Sequence, residues 1–181
     1  RLNCRRQRQM CIRDSGNTMA IAKTLINYLE EKGVNYDLVE HAHTSTSFAS
    51  ARASDLPPHQ VAKAVVLKDG DGYVVSVLPT NHTLEIDWVN EELNRNLELA
   101  CEDEFKSLFK DCEAGAVPAL GDAYGIQVIW DDDLAYTADV YIEAGDHEHL
   151  IWLDRKAFKT LMSSLPHTVI SKDEEVGCWK Y

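Results

Sequence analysis

The chain has 181 residues, of which 45% are hydrophobic and 27% charged, and its net charge is −12. That length suits one domain with a sizeable core. The acidity argues against a broad nucleic-acid footprint, which needs Lys and Arg, and no apolar run nears the roughly 18 residues of a membrane span.

Residues 1–18 hold five of the 18 Lys+Arg and show no amphipathic period, and "QMCIRDS" resembles translated adapter sequence. They are set aside as a non-native leader. The remainder carries 13 basic against 29 acidic residues, a charge of −16. One domain is expected over 19–165, followed by a loosely held tail at 166–181. Cys4, Cys11, Cys101, Cys112 and Cys178 form no CxxC pair. They read as incidental thiols of a reducing, cytoplasmic compartment.

Ile21, Leu25, Ile26 and Leu29 recur at helical spacing, and Gly33 falls where a C-cap belongs. "YDLVEH" alternates as a short strand, and "STSFASARASDL" predicts a second helix before Pro57-Pro58. In "VAKAVVLKDGDGYVVSVLP" two β-rich runs flank Asp69-Gly70-Asp71-Gly72, a hairpin signal. "EIDWVNEELNRN" predicts a helix and "LELA" a brief strand. "EDEFKSLFKD" predicts a helix with Phe105, Leu108 and Phe109 on one face. After the loop Cys112–Gly125 come strand "IQVIW", a turn at Asp131–Asp133, strands "ADVYIEAG" and "HLIWLD", and a last helix capped by Asp154. Hairpins mixed with helices point to an α+β domain with a mixed sheet.

Four features invite a chemical reading. Lys63 interrupts an apolar strand, on the alternation face of Val61, Val65 and Leu67. A buried ammonium there is costly unless a partner or ligand uses it, whereas at a sheet edge it would merely snorkel. The loop "CEAGAVPALGDAYG" holds three glycines and four alanines in fourteen residues. It lacks nucleotide-binding glycine spacing, so it is either a surface connector or a place where backbone N–H groups approach a small polar ligand. The pairs His41/His43 and His147/His149 would share one face on a strand, as a metal site needs, or simply be exposed polar residues. Asp131–Asp133 would attract a hard cation or form a solvated turn. No nucleophile elbow, HExxH or triad spacing is present.

Taken in order, "VAKAVVLKDGDGYVVSVLPTNH", "CEAGAVPALGDAYGIQVIWDDDL" and "VYIEAGDHEHLIWLD" resemble the YbaK and prolyl-tRNA synthetase-associated domain family, roughly from Met19 to Leu165. The resemblance implies a mixed, curved sheet flanked by helices and hydrolysis of mischarged aminoacyl-tRNA. It maps the family's lysine onto Lys63 and its glycine-proline loop onto Gly115 to Ala119, with Pro118 kept. His147 in "AGDH" matches a histidine or polar position of the family. Many members have a second proline where Ala119 stands, and several have Asn where Ala64 stands.

Because the ester of a mischarged tRNA is reactive, a positioned water and a stabilised oxyanion suffice. The resemblance thus assigns the charge to Lys63 and N–H donors to Gly115 and Ala116, with Pro118 and His147 completing the site. It implies no cofactor and no metal. The partner is the acceptor end of a mischarged tRNA, with an aminoacyl-tRNA synthetase as a further candidate and no membrane; oligomeric state is left open. This reading requires Lys63 and the Gly115 loop to line one chamber. The rival readings are a non-catalytic aminoacyl-tRNA or small-ligand binding module of the same fold, a metal-dependent hydrolase built on the His pairs, and a cysteine hydrolase.

Overall fold

The computed structural model describes residues 21–174. Helix α1 (Lys23–Lys32) buries Leu25 and Leu29, four residues apart, and ends at Gly33 in the left-handed conformation, φ 63°. Strand β1 (Asp37–Glu40) follows, then α2 (Ser47–Ala53), whose N-cap Thr46 side chain accepts the Ala49 N–H. The hairpin β2 (Val61–Asp69) and β3 (Gly72–Pro79) turns through Gly70-Asp71, as its sequence predicts. Arg95 clamps this turn by donating from Nε and a terminal nitrogen to the Asp69 carboxylate.

Strand β4 (His82–Leu84) was not foreseen; α3 (Ile86–Leu93) and β5 (Glu98–Leu99) were. The helix expected over "EDEFKSLFKD" is a single turn, α4 (Glu102–Phe105). Beyond it the backbone tightens through Leu108 N–H to Phe105 and Cys112 N–H to Phe109. That tightening still brings Phe105 and Phe109 edge to face in the core, and it sets Asp111 where its carboxylate accepts the Thr24 N–H of α1 at 2.8 Å. Strands β6 (Gln127–Asp131), β7 (Asp139–Glu143) and β8 (His149–Asp154) lead to α5 (Arg155–Met162). Asp154 caps α5 as expected, accepting the Ala157 N–H at 2.7 Å. After Pro166 the described residues form two short strands. Strand β9 (His167–Thr168) pairs with β6, and β10 (Ser171–Asp173) pairs with β4. The proposed leader lies outside the described residues.

The large sheet runs β1-β8-β7-β2-β3-β6-β9, with β5 added on β2, and it is mixed. Pairs β2/β7, β3/β6 and β6/β9 are parallel, while β1/β8, β7/β8, β2/β3 and β2/β5 are antiparallel. Both faces are covered. Ala62, Val66, Val75, Val77, Val128 and Trp130 join the main core with α1 and α5, and the alternate residues Leu67, Val74 and Ile129 join a smaller cluster with α3. Burial on both faces explains why these strands read as nearly unbroken apolar runs. The α+β class with a mixed, helix-flanked sheet is thus the observed fold. Among the described residues no helix is long and apolar enough to cross a membrane.

Candidate active site

The sheet is interrupted at strand β2. Its edge toward β7 pairs only at Val61 and Ala62, and toward β5 only at Leu67 and Lys68. Lys63, Ala64 and Val65 lie between, half-buried, with buried residues on either side. A central strand therefore offers a three-residue notch of backbone to solvent. Paired residues of parallel strands share a face and side chains alternate. Val61 pairs with Tyr141, so Lys63 and Glu143 project from one face, each one residue past the last paired position.

The turn that follows β7 is built by side chains. Glu143 Oε1 accepts the N–H groups of Gly145 at 3.2 Å and His147 at 3.1 Å. Asp146 Oδ1 accepts those of Glu148 at 3.0 Å and His149 at 2.9 Å. These bonds hold Gly145 and His147 in left-handed backbone, φ 99° and 60°. At Gly145 a Cβ would lie 3.0 Å from Ala22 Cβ and Cys112 Sγ, so a side chain would have to push these neighbours aside as well as adopt the left-handed backbone. Burial pushes the Glu143 carboxyl up, and the two N–H groups oppose that. The folded chain therefore holds this proton more tightly than the unfolded one. Glu143 favours folding below the usual carboxylate range and loses that contribution as pH rises through its raised value.

The "CEAGAVPALG" loop meets this turn. Glu113 N–H donates to the Gly145 carbonyl at 2.8 Å, and His147 Nε2–H donates to the Ala114 carbonyl at 2.7 Å. A neutral imidazole that donates from Nε2 keeps its lone pair on Nδ1. Gly115 has φ 82°, and a Cβ built there would stand 3.6 Å from the His147 ring, an ordinary contact. The glycine is therefore demanded by its backbone conformation, not by crowding. Pro118, Ala119 and Leu120 are buried behind it, and at Gly121 a Cβ would strike Val75 Cγ2 at 2.8 Å. The small residues of this loop are thus explained partly by close packing on β3.

The segment after β1 straps the turn from outside. His41 N–H donates to Glu148 and Thr44 N–H to His147, at 2.8 and 3.1 Å. The His43 ring stands 5.3 Å from that of His147 and 3.8 Å from the Glu113 carboxylate.

Gly115, Ala116 and His147 are brought together; Lys63 is not joined to them. Its ammonium donates to the Thr80 carbonyl at 3.4 Å, and the hollow lined by Gly115 is not also lined by Lys63. Burial draws the Lys63 ammonium below its ordinary value, and Glu174 opposes the shift. Ala116 sits in a tight turn. Its N–H already donates to the Glu113 carbonyl at 3.1 Å, closing the turn that presents Gly115. Gly115 itself makes no such bond among the described residues. The hollow between the loop and α4 holds only about 10 Å³, room for at most one water.

The two His pairs do not assemble a metal site. His41 and His43 follow β1 instead of lying on it, and His147 is in the turn before β8. His41 Nδ1–H donates to Ala42, and His149 Nδ1 bonds Asp146. Among the described residues, the ligand atoms that converge belong to His82, Asp131 and Asp133. Cys112 borders the loop, but burial pushes its thiol up to about 11, and its S–H donates to Tyr124, whose hydroxyl donates to Asp111. A thiol so protonated is a poor nucleophile. Sequence reasoning missed Glu143, although a carboxylate inside the apolar run "VYIEAG" is the same kind of signal that singled out Lys63.

No curated protein matches the sequence. Solved structures share its fold. A candidate trans-editing enzyme for prolyl tRNA synthetase is 20% identical with a TM-score of 0.73, over 87% of this chain and 99% of that one. The hypothetical protein APE2540 is 18% identical with a TM-score of 0.73, over 83% and 100%. A candidate signal transduction protein from Marinobacter aquaeolei VT8 is 17% identical with a TM-score of 0.67 over 83% of this chain, which spans only 30% of that longer protein. The sequence profile of the aminoacyl-tRNA editing domain matches residues 40–161, a span that takes in Lys63, the Gly115 loop and His147. The chain belongs to the aminoacyl-tRNA editing domain family.

Proposed function

We propose that this chain hydrolyses the ester bond of a mischarged aminoacyl-tRNA, acting on the free acceptor end. The observation that carries this reading is the notch at Lys63–Val65, on the same sheet face as Glu143, together with a left-handed glycine and an imidazole in contact beyond it. Nothing in that arrangement supplies a strong nucleophile, and an aminoacyl ester does not need one.

In the proposed step a water oxygen adds to the ester carbonyl carbon while the π pair moves onto the carbonyl oxygen. His147 Nδ1 takes the water proton; its Nε2–H tie to Ala114 fixes the ring for this. The Gly115 N–H faces the oxyanion, and the Lys63 ammonium reaches it by swinging from its resting bond to the Thr80 carbonyl. Collapse restores the carbonyl, and the departing ribose oxygen takes back the proton from His147. The products are the free amino acid and an uncharged tRNA.

The net acidity fits a small contact with the acceptor end better than a long tRNA interface. A synthetase partner belongs to the same proposal, as does a cytoplasmic setting.

A deacylation panel tests the reading. tRNAs mischarged with alanine, serine, cysteine or proline are incubated with the full chain in excess chelator. At least one is expected to lose its amino acid well above the spontaneous rate. Protection of every ester would favour a binding module instead, and loss of activity with chelation would favour a metal-dependent hydrolase.

A further inference from the structure

A second polar cluster lies at the other end of β7. Ala138, just before that strand, borders an open cavity of about 560 Å³ that is also lined by His59, Asn81, His82, Asp133 and Arg155. His82 opens β4, Asp131 closes β6, and Asp133 stands in the turn that follows. These residues are 49 or more positions apart from His82 in sequence, yet their ligand atoms all lie within 4.8 Å of one another.

The burial is uneven in a telling way. Asp131 is 0% exposed and His82 7%, whereas the Asp133 side chain is 52% exposed. The Asp131 carboxylate accepts the N–H groups of Asp133 and Ile170, both at 2.9 Å, and the Ser171 hydroxyl at 2.6 Å. No cation is among those partners. Since Ser171 gives its proton to Asp131, its oxygen accepts from His82 Nδ1–H, at 2.9 Å. The same nitrogen is 3.8 Å from Asp133 Oδ2. A fully buried carboxylate, a nearly buried imidazole and a solvent-side carboxylate therefore converge at the wall of a roomy, open cavity.

We infer that His82, Asp131 and Asp133 form a site for one divalent first-row metal ion, with water from the cavity completing the coordination. One imidazole nitrogen and two carboxylates are a mixed donor set that suits Zn²⁺ or Mn²⁺. Metal–ligand bonds of about 2.0–2.2 Å put neighbouring donors roughly 3–3.5 Å apart. The ligand atoms now lie within 4.8 Å of one another, with His82 Nδ1 3.8 Å from Asp133 Oδ2, so on loading the half-exposed Asp133 rotates inward and His82 draws toward Asp131. The ion takes the Nδ1 lone pair of the other neutral tautomer of His82, whose proton moves to Nε2. Ser171 keeps its bond to Asp131, so the network survives loading.

The consequence is structural. Ile170 and Ser171 belong to the segment that enters β10, and β10 pairs with β4, which carries His82. One ion would tie β4, β6 and the chain beyond Pro166 into a single node. It lies at the opposite end of β7 from His147 and supplies no group to the proposed step, although the Lys63 ammonium rests on Thr80, two residues before His82.

The test uses the full chain stripped of metal, titrated with Zn²⁺ or Mn²⁺ and followed by calorimetry and thermal unfolding. Wild type is expected to bind one equivalent, and its Tm to rise with the ion. Asp133→Asn is expected to match the wild-type Tm without metal, to bind at least tenfold more weakly, and to lose the metal-dependent rise. An absent Tm shift with both ions would overturn the site, as would an equal shift in wild type and Asp133→Asn, which would place the ion elsewhere. Should Asp133→Asn fail to fold, Mn²⁺ added to wild type decides the matter. The ring resonances of His82 should broaden before those of His147 and His149, and the reverse order overturns the assignment.

Discussion

Lys63→Ala is expected to slow deacylation about 10²- to 10³-fold, the usual consequence of removing one oxyanion donor. The stability of the variant should stay within about 1 kcal/mol of wild type, because the side chain is only half-buried and makes a single long bond. At 3.4 Å the contact with the Thr80 carbonyl is weak, so it does not hold the ammonium strongly in place. A flexible four-carbon stem lets that ammonium swing from its resting partner toward a carbonyl oxygen bound in the notch. The position also explains why a charge is tolerated on this strand. Lys63 occupies the stretch where β2 has lost its neighbour on one side, and solvent reaches it. Rates measured under single-turnover conditions, beside urea midpoints for both proteins, check the expectation. A folded Lys63→Ala variant with near-normal rates would remove Lys63 from the mechanism.

His147→Asn is expected to cost at least about 10²-fold, since a positioned general base contributes roughly 10²–10⁴. Asparagine is chosen because His147 has φ 60°, and Asn tolerates left-handed backbone better than most residues. The Glu143 carboxylate would still accept the residue's N–H, so the turn should form. What disappears is the Nδ1 lone pair and the Nε2–H tie to Ala114 that fixes the ring. If the rate falls while binding of a non-hydrolysable substrate analogue is retained, the imidazole acts on the chemistry. Loss of both together would mean that His147 merely shapes the loop, and an unchanged rate would exclude it altogether.

Several elements could be read from local sequence because their signals are local. The β2–β3 turn needs only Gly70-Asp71 between two apolar runs, and α1 needs only Leu25, Leu29 and a terminal Gly33. Strands β4, β9 and β10 span two or three residues each, too short for any alternation, and they exist through partners such as Ser171 and Leu84, which are 87 positions apart. The helix over "EDEFKSLFKD" failed after one turn because tertiary packing, through Asp111 on α1 and the Phe105–Phe109 pair, overrode propensity.

The site divides the same way. Lys63 stood out because a charge breaks an apolar strand. Gly115 stood out through composition, yet the reason for it is a backbone angle set by its neighbours. The bond that the Ala116 N–H makes within its tight turn was not legible, because the use of a backbone N–H leaves no trace in residue type. Glu143 and His147 cooperate through bonds to the main chain, which no spacing rule anticipates. The cluster of His82 with Asp131 and Asp133 is assembled by β4 and β6 from separate parts of the chain.

The most direct measurement of the central claim is a chemical-shift map of the wild-type chain with an adenosine carrying its amino acid through an amide in place of the ester. The account predicts shifts concentrated at Lys63–Val65, Gly115–Val117 and His147. Shifts centred instead on the cavity beside His82 and Asp133, or none at saturating analogue, would contradict it.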